Sequence, residues 1–158
     1  MDKPTISVNI IAKNEEKTLP MTVECIREFA DEIVIGVDRS STDKTHGIAQ
    51  KLADVFYELD WRNSFSQARN FSMGKCTKEW ILILDAHEFI SPETVEKFNH
   101  FWKTIPDGST GVGVKILMEN DMSGVQMRFL KNNAGWKWEG KFPFTITNKR
   151  VFESNSGK

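Results

Sequence analysis

Apolar residues in the first two thirds of the chain follow two alternating patterns. Short, mainly apolar segments that predict strands occupy residues 6–12, 32–38, 54–59 and 80–84, and the last of them is a continuous apolar run typical of a fully buried strand. Between these segments, apolar residues recur every three or four positions, which predicts helices over 19–30, 41–53, 64–76 and 91–102. Strands that alternate with helices predict an α/β fold, in which a mostly parallel sheet is flanked by helices.

Residues at the helix starts support this pattern. Thr18 is placed to cap the first helix, and Ser91 precedes a proline at the first position of the last one. In the helix over 64–76, the positions with helical spacing are Phe65, Ala68 and either Phe71 or Ser72.

The pattern changes after residue 106. Two apolar segments, 111–118 and 125–131, flank a turn-type stretch, which predicts a hairpin or two neighbouring strands. The C-terminal third is therefore predicted to be rich in β-structure. We expect a single domain over residues 1–150, followed by a loose polar tail over 151–158.

The amino-acid composition of the chain excludes some classes of binding partner and site. The 158 residues include 39% hydrophobic and 27% charged residues, as in soluble globular proteins, and the net charge of −1 gives no field that would attract nucleic acid. Cys25 and Cys76 form no C-x-x-C pair, so we expect a reducing, cytoplasmic setting without a zinc or disulfide framework. We expect neither a transmembrane segment nor a signal peptide, because no apolar run approaches about 20 residues and the first residues lack an apolar h-region.

The strand over 80–84 ends in Asp85 and His87, which could bind a metal. Residues two apart at a strand end can point the same way, so a carboxylate and an imidazole could hold one divalent cation. Such a site has open positions for phosphate oxygens. In the alternative interpretation, the acid caps a turn and the histidine is an ordinary surface residue.

Acidic and amide side chains follow two other strands. Asn14 and Glu15 come after the first strand, and Asp38 ends the second. Side chains at these positions could accept hydrogen bonds from a nucleobase or a ribose. Helix capping is the alternative role of Asn14 and Glu15.

Four segments, taken in this order and spacing, resemble a known family: ISVNIIAKNEE, EIVIGVDRSSTDKT, W…SFSQARNFSM and EWILILDAHEFISPE. They resemble the inverting glycosyltransferases of family 2, which have a GT-A-type fold, and the likeness is dense over residues 5–94. The resemblance implies a nucleotide pocket, an acceptor for the nucleobase, an arginine near the nucleotide and a D-x-D-type metal motif. The matching residues are, in that order, Ala12 to Glu15 (with Asn14), Asp38, Arg69, and Asp85, Ala86 and His87.

The sequence departs from the family pattern at two places. His87 stands where the family usually has aspartate, and an imidazole favours manganese over magnesium. An expected E-G-x-x-H-E segment begins at Glu139 and Gly140 but lacks its histidine and second glutamate. Glu139 is therefore the first candidate for the catalytic base, with Asp121 as the second.

The resulting hypothesis is a metal-dependent enzyme that transfers a sugar from a nucleotide diphosphate sugar, with inversion. The resemblance implies a UDP-sugar as the donor, and the acceptor could be a saccharide, a lipid-linked saccharide or a protein. The alternative is a non-catalytic module that binds a nucleotide sugar, or a transferase too short to hold its acceptor.

Overall fold

The computed structural model describes residues 3–117, 122–140 and 145–148. The strands in these ranges are β1 (Ile6–Ala12), β2 (Glu32–Asp38), β3 (Val55–Leu59), β4 (Trp80–Asp85), β5 (Gly111–Leu117), β6 (Ser123–Lys131), β7 (Trp136–Glu139) and β8 (Thr145–Asn148). The helices are α1 (Leu19–Ile26), α2 (Thr45–Leu52), α3 (Phe65–Met73) and α4 (Pro92–Phe101), and α4 continues into a 3-10 turn (Trp102–Thr104).

Six strands form one sheet in the order β3-β2-β1-β4-β6-β5. Neighbours among β1 to β4 are parallel, whereas β6 is antiparallel to both β4 and β5. Strands β7 and β8 form a separate antiparallel pair. The predicted mostly parallel sheet, the two neighbouring strands after residue 106 and the β-rich C-terminal third are therefore confirmed.

Apolar layers cover both faces of the six-stranded sheet. On one face, Val8 and Ile10 of β1 belong to a core that also includes residues of α1, α2 and α4. On the other face, Ile81 and Ile83 of β4 pack with Met73 of α3 and with the tryptophans of β7. The central strands are mainly apolar because both of their faces are buried, and β1 also carries the buried polar residues Ser7 and Asn9.

Several helix bounds differ from the prediction: α2 begins at Thr45 and not at residue 41, and α3 ends at Met73 and not at residue 76. Helix α1 ends at Ile26 and not at residue 30, although Phe29 beyond it is buried. Thr18 makes no capping hydrogen bond, because its hydroxyl donates to the Glu15 carboxylate. The predicted cap of α4 is confirmed, since Ser91 Oγ accepts from the Thr94 N–H at 3.2 Å.

The structure buries Ser72 of α3 and leaves Phe71 51% exposed. Ser72 faces Asn9, a buried amide on β1, and its hydroxyl contacts both the Asn9 amide and the Tyr57 hydroxyl. A phenyl ring at this position would leave the Asn9 amide without this partner, which is unfavourable in a buried site. Burial raises the pKa of Tyr57 to about 12, so the phenol stays a neutral donor.

Within the described ranges, no helix has the length and apolar character needed to cross a membrane.

Gly36 on β2 is opposite Tyr57 on β3, and a Cβ at residue 36 would lie 2.5 Å from the tyrosine ring. We expect Gly36→Ala to lower the free energy of unfolding by about 1–3 kcal/mol, because the ring must move out of a packed position. Gly47→Ala is the matched control, since its added Cβ has no atom within 4 Å apart from its chain neighbours and the backbone of its own helix. Alanine in this helix should raise stability by up to about 1 kcal/mol. Urea unfolding measures both, and an unchanged midpoint for Gly36→Ala would contradict this packing.

Candidate functional site

Polar side chains gather where three neighbouring parallel strands end. Strand β1 lies between β2 and β4, and the register pairs Ile11 with Asp85 and Ala12 with Val37. The carboxyl ends of β1, β2 and β4 therefore meet at one edge of the sheet, as the sequence predicted. Ligand crevices of open α/β sheets lie at such an edge.

Residues after β1 bind the loop after β2. Asn14 has a left-handed backbone with φ of 54°, and its Oδ1 accepts from the Thr42 N–H at 2.8 Å. The Glu15 N–H donates to Thr45 Oγ1 at 2.8 Å. These hydrogen bonds join the segment after β1 to the loop after β2 and to the first residue of α2, so the Asn14 side chain and the Glu15 backbone have a structural role at this edge.

Asp38 is a buried acceptor at the end of β2, with only 4% of the residue exposed. Its Oδ1 accepts from the Ser40 N–H at 2.8 Å and from the Ser40 hydroxyl at 2.7 Å, and Oδ2 lies 3.3 Å from Lys13 Nζ. Burial raises the pKa of Asp38, but the hydrogen bonds from Ser40 and the Lys13 ammonium outweigh it, so the pKa lies below its ordinary value of 3.8. The carboxylate is therefore ionised at neutral pH.

Two adjacent clefts open beside Asp38. A shallow cleft of about 520 Å³ lies at the ends of β2 and β3, and its lining includes Asp38 and Trp61. A second cleft, of about 410 Å³, extends between β3 and α3. Trp61 is 37% exposed and its ring lies edge-on to Phe65, with 4.6 Å between centroids. The motif containing Trp61 was recognised in the sequence, but no role for this residue was predicted.

Asp85 forms an ion pair with Arg69, which comes from α3 on the opposite side of the site. Arg69 is 7% exposed and its Nη2 donates to Asp85 Oδ1. The Arg69 Nη1 is buried, and no described residue accepts a hydrogen bond from it. Burial lowers the pKa of Arg69 while Asp85 partly counteracts it, but an arginine remains a cation in proteins.

A second buried arginine, Arg128 of β6, was missed by the sequence analysis. Its Nη1 donates to the Ile83 carbonyl at 3.2 Å, and its Nη2 donates to Glu88 Oε1 at 2.6 Å. The other oxygen of Glu88 accepts from the Asp85 N–H at 2.8 Å. A lone charge in the apolar stretch of β6 was the available signal, but sequence spacing does not identify its partner 40 residues away.

His87 and Ala86 complete the turn after β4. The His87 side chain is 62% exposed, and its Nδ1 lies 3.3 Å from Glu15 Oε1. Ala86 is buried, and its carbonyl accepts from the Thr22 hydroxyl at 3.0 Å. The two predicted metal ligands thus have different partners in this structure, Arg69 for Asp85 and Glu15 for His87.

The Asp85 carboxylate and the His87 imidazole suit an open metal site, in which a substrate supplies the remaining ligands, better than a closed site made only of protein ligands. In residues 3–117, 122–140 and 145–148, no three His, Cys, Asp or Glu side chains are grouped so that they could hold a metal. Asp85 keeps 36% of its side chain exposed, so a carboxylate oxygen and an exposed imidazole are accessible from the same edge. Two such donors suit a cation whose remaining ligands come from a substrate.

The candidate base Glu139 lies at the exposed end of β7, which is held against α3. Asn70 exchanges two hydrogen bonds with the backbone of Trp138, each 2.8 Å long, and Ser66 Oγ donates to the Gly140 carbonyl at 2.5 Å. We call Asp38, Asp85 and His87 the strand-end cluster. Because α3 also carries Arg69, this one helix contacts both β7 and Asp85 of the strand-end cluster. Asp121, the second candidate, lies outside the described residues.

Comparisons with known proteins agree with this arrangement. The family model described as glycosyl transferase family 2 matches residues 7–157. The glycosyltransferase SunS, derived from the SPbeta prophage of Bacillus subtilis, is 36% identical over 98 residues, which are 61% of this chain and 23% of SunS. An uncharacterized glycosyltransferase of Rickettsia conorii is 31% identical over 97 residues, or 61% of this chain and 34% of that protein. The matches therefore span about a third or less of these relatives.

Solved structures show the same fold. The mannosyltransferase PcManGT of Pyrobaculum calidifontis, in complex with GDP-Man and Mn²⁺, matches with a TM-score of 0.58 and 22% identity over 74% of this chain and 37% of that one. TarS of S. aureus, residues 1–349, matches with a TM-score of 0.52 and 16% identity over 81% of this chain and 47% of that one. The GT-A-type architecture implied by the sequence resemblance is confirmed.

Asp38 should contribute to the loss of unfolding free energy at acidic pH. Because its folded pKa is lower than 3.8, its stabilising contribution is complete above pH 3.8 and is lost as the pH falls toward the folded value. We expect Asp38→Asn to make the fall in unfolding free energy below about pH 4 shallower. Ser40→Ala should act in the same direction but less, because it removes one of the hydrogen bonds. Urea titrations between pH 2 and 7 measure this, and equal slopes in all three proteins would contradict the assignment.

Proposed function

The chain belongs to glycosyltransferase family 2, and from this premise we propose that it transfers a sugar from a nucleotide diphosphate sugar to an acceptor hydroxyl, with inversion. The observation that carries the proposal is the placement of Asp38 and Asp85 at the carboxyl ends of β2 and β4. These strands are two strand spacings apart, about 10 Å, which suits the distance from a nucleobase to a diphosphate.

Asp38 and Trp61 would recognise the nucleobase. An ionised, buried carboxylate can accept a base N–H, and Trp61 offers an aromatic face at the same cleft. The sequence resemblance favours uracil, whereas the structurally similar PcManGT was crystallised with GDP-Man. UDP-sugars and GDP-sugars are therefore the two donor classes to compare.

Asp85 and His87 would hold a divalent cation against the diphosphate, with Glu15 orienting the imidazole through its contact with Nδ1. When bound, this cation would neutralise the negative charge that develops on the departing diphosphate. We propose manganese over magnesium because imidazole is a softer ligand than carboxylate, and PcManGT was crystallised with Mn²⁺. Arg69 would assist, because its Nη1 has a free donor position among the described residues.

The transfer would be a single in-line displacement. The acceptor oxygen bonds to the anomeric carbon as the bond from that carbon to the diphosphate oxygen breaks, and the bonding electrons leave with the diphosphate. A carboxylate removes the proton from the acceptor hydroxyl. We assign this role to Glu139 because β7 packs on the helix that carries Arg69, and Asp121 is the second candidate.

A non-catalytic module that binds nucleotide sugars is the second candidate function. One observation favours it: the E-G-x-x-H-E segment is incomplete, because its histidine and second glutamate are absent. Transfer of sugar to water or to any acceptor would exclude this alternative.

Manganese and a nucleotide should stabilise the protein together. At about 100 times its dissociation constant a ligand adds about 2.7 kcal/mol, which is a rise of roughly 5–10 °C in Tm for a domain of this size. We expect UDP or GDP to give this shift with Mn²⁺ but a much smaller one in chelator. His87→Ala should reduce the joint shift, and His87→Asp should restore part of it and move the preference toward Mg²⁺.

His100→Ala on α4 is the matched control, because this histidine is exposed and lies outside the strand-end cluster. It should leave the joint shift unchanged. A nucleotide shift of equal size in chelator and in Mn²⁺ would reject Asp85 and His87 as metal ligands. The absence of any shift with UDP, GDP and their sugars would reject the proposed function.

Glu139→Gln tests the catalytic base. Glutamine cannot remove the acceptor proton, so the rate of transfer should fall by about 100-fold or more, while donor and Mn²⁺ binding stay unchanged. Glu96→Gln, on the exposed surface of α4, is the control for removing one carboxylate. Full transfer activity in Glu139→Gln would assign the proton removal to another group, with Asp121 next to be tested.

A further inference from the structure

Two buried arginines approach Asp85 from opposite sides. Arg69 Nη2 donates to Oδ1, whereas Arg128 Nη2 lies 4.0 Å from Oδ2, beyond hydrogen-bonding distance. Arg128 instead donates to Glu88, at 2.6 Å. One oxygen of Asp85 is therefore paired with an arginine, and the other is not hydrogen-bonded to the second arginine.

Glu88 contacts both Arg128 and the backbone of Asp85, so it can determine which carboxylate Arg128 pairs with. Its Oε1 accepts from Arg128, and its Oε2 accepts from the backbone N–H of Asp85 at 2.8 Å. The side chain thus holds the Arg128 guanidinium and the turn after β4 at the same time. Its own side chain is 22% exposed, so this carboxylate is partly shielded from water.

Because Arg128 is buried, few groups can pair with its guanidinium. The Arg128 side chain is 10% exposed, and its Nη1 is held by the Ile83 carbonyl, so the guanidinium cannot turn freely into solvent. A buried cation without a carboxylate is strongly unfavourable. Within the described part of the chain, the charged groups that interact with Arg128 are Glu88, Asp85 and Arg69, so Asp85 is the one other carboxylate among them.

We propose that Glu88 is a positioning residue that keeps Arg128 away from Asp85, and thereby keeps Asp85 Oδ2 available for a divalent cation. Without Glu88, Arg128 would close the 4.0 Å gap and both oxygens of Asp85 would be paired with arginines. This inference rests on the proposed function for the identity of the cation site, but not for the contact between Arg128 and Asp85.

The first measurement is Mn²⁺ affinity, taken from the paramagnetic resonance signal of free Mn²⁺ in the presence of UDP and, separately, of GDP. We expect Glu88→Ala to weaken Mn²⁺ binding by about 10- to 100-fold, the usual effect of losing a group that orients a metal ligand. Glu88→Gln keeps an acceptor for Arg128 without the charge, so its loss should be smaller.

The double variant Glu88→Ala with Arg128→Met separates this mechanism from a general loss of structure. With Arg128 removed, no second arginine competes for Asp85, so Mn²⁺ affinity should return to within a few-fold of the original protein. Glu93→Ala is the matched control, because Glu93 also pairs with a cation, Lys97 at 2.6 Å, but on the exposed face of α4. It should leave Mn²⁺ affinity unchanged.

Failure to recover affinity in the double variant, with an unaltered melting curve, would overturn the proposal. A crystal structure of Glu88→Ala, or of Glu88→Gln if alanine prevents folding, gives the independent test. Arg128 within hydrogen-bonding distance of Asp85 Oδ2 supports the proposal, and an Arg128 that stays 4 Å away or leaves the site overturns it. If the original protein binds no Mn²⁺ with either nucleotide, the proposed function fails, and the crystal structure still decides whether Glu88 separates Arg128 from Asp85.

Discussion

The burial of two guanidinium groups beside the end of β4 is the constraint on which the candidate site depends. Arg69 comes from α3 and Arg128 from β6, and both are less than one tenth exposed. Buried cations require carboxylate partners, so Asp85 and Glu88 are held in the turn where the two arginines meet. This set of four charges joins a helix, a parallel strand and an antiparallel strand at one edge of the sheet.

The strands were the most predictable part of the fold. The bounds of β1 and β2 agree with the sequence prediction, and those of β3 and β4 agree to one residue, because each strand is a short, mainly apolar segment bounded by polar residues. Helix ends were less predictable. Ser72 is buried in place of Phe71 because its environment is set by Asn9, 63 residues away on the sheet, and helical spacing alone carries no information about that contact.

The position of the candidate site could be predicted from the sequence, but the ion pairs within it could not. Strand ends in a parallel sheet meet at one edge, so the sequence placed Asp38, Asp85 and His87 together. It could not show that Asp85 pairs with Arg69 or that Arg128 reaches Glu88, because those contacts depend on how α3 and β6 pack against β4. Asn14 and the Glu15 backbone N–H make hydrogen bonds to Thr42 and Thr45, but neither side chain caps α1 or α2, so the capping alternative for them is not supported.

The unpartnered Nη1 of Arg69 has a thermodynamic consequence for ligand binding. Among the described residues this donor is buried and has no protein acceptor. An anionic ligand that reached it would supply the missing hydrogen bond, which is how preorganised sites obtain affinity. The native state is correspondingly less stable than its packing would allow. An apolar side chain of similar size at residue 69 that also left Asp85 solvated would trade anion affinity for a more stable empty protein.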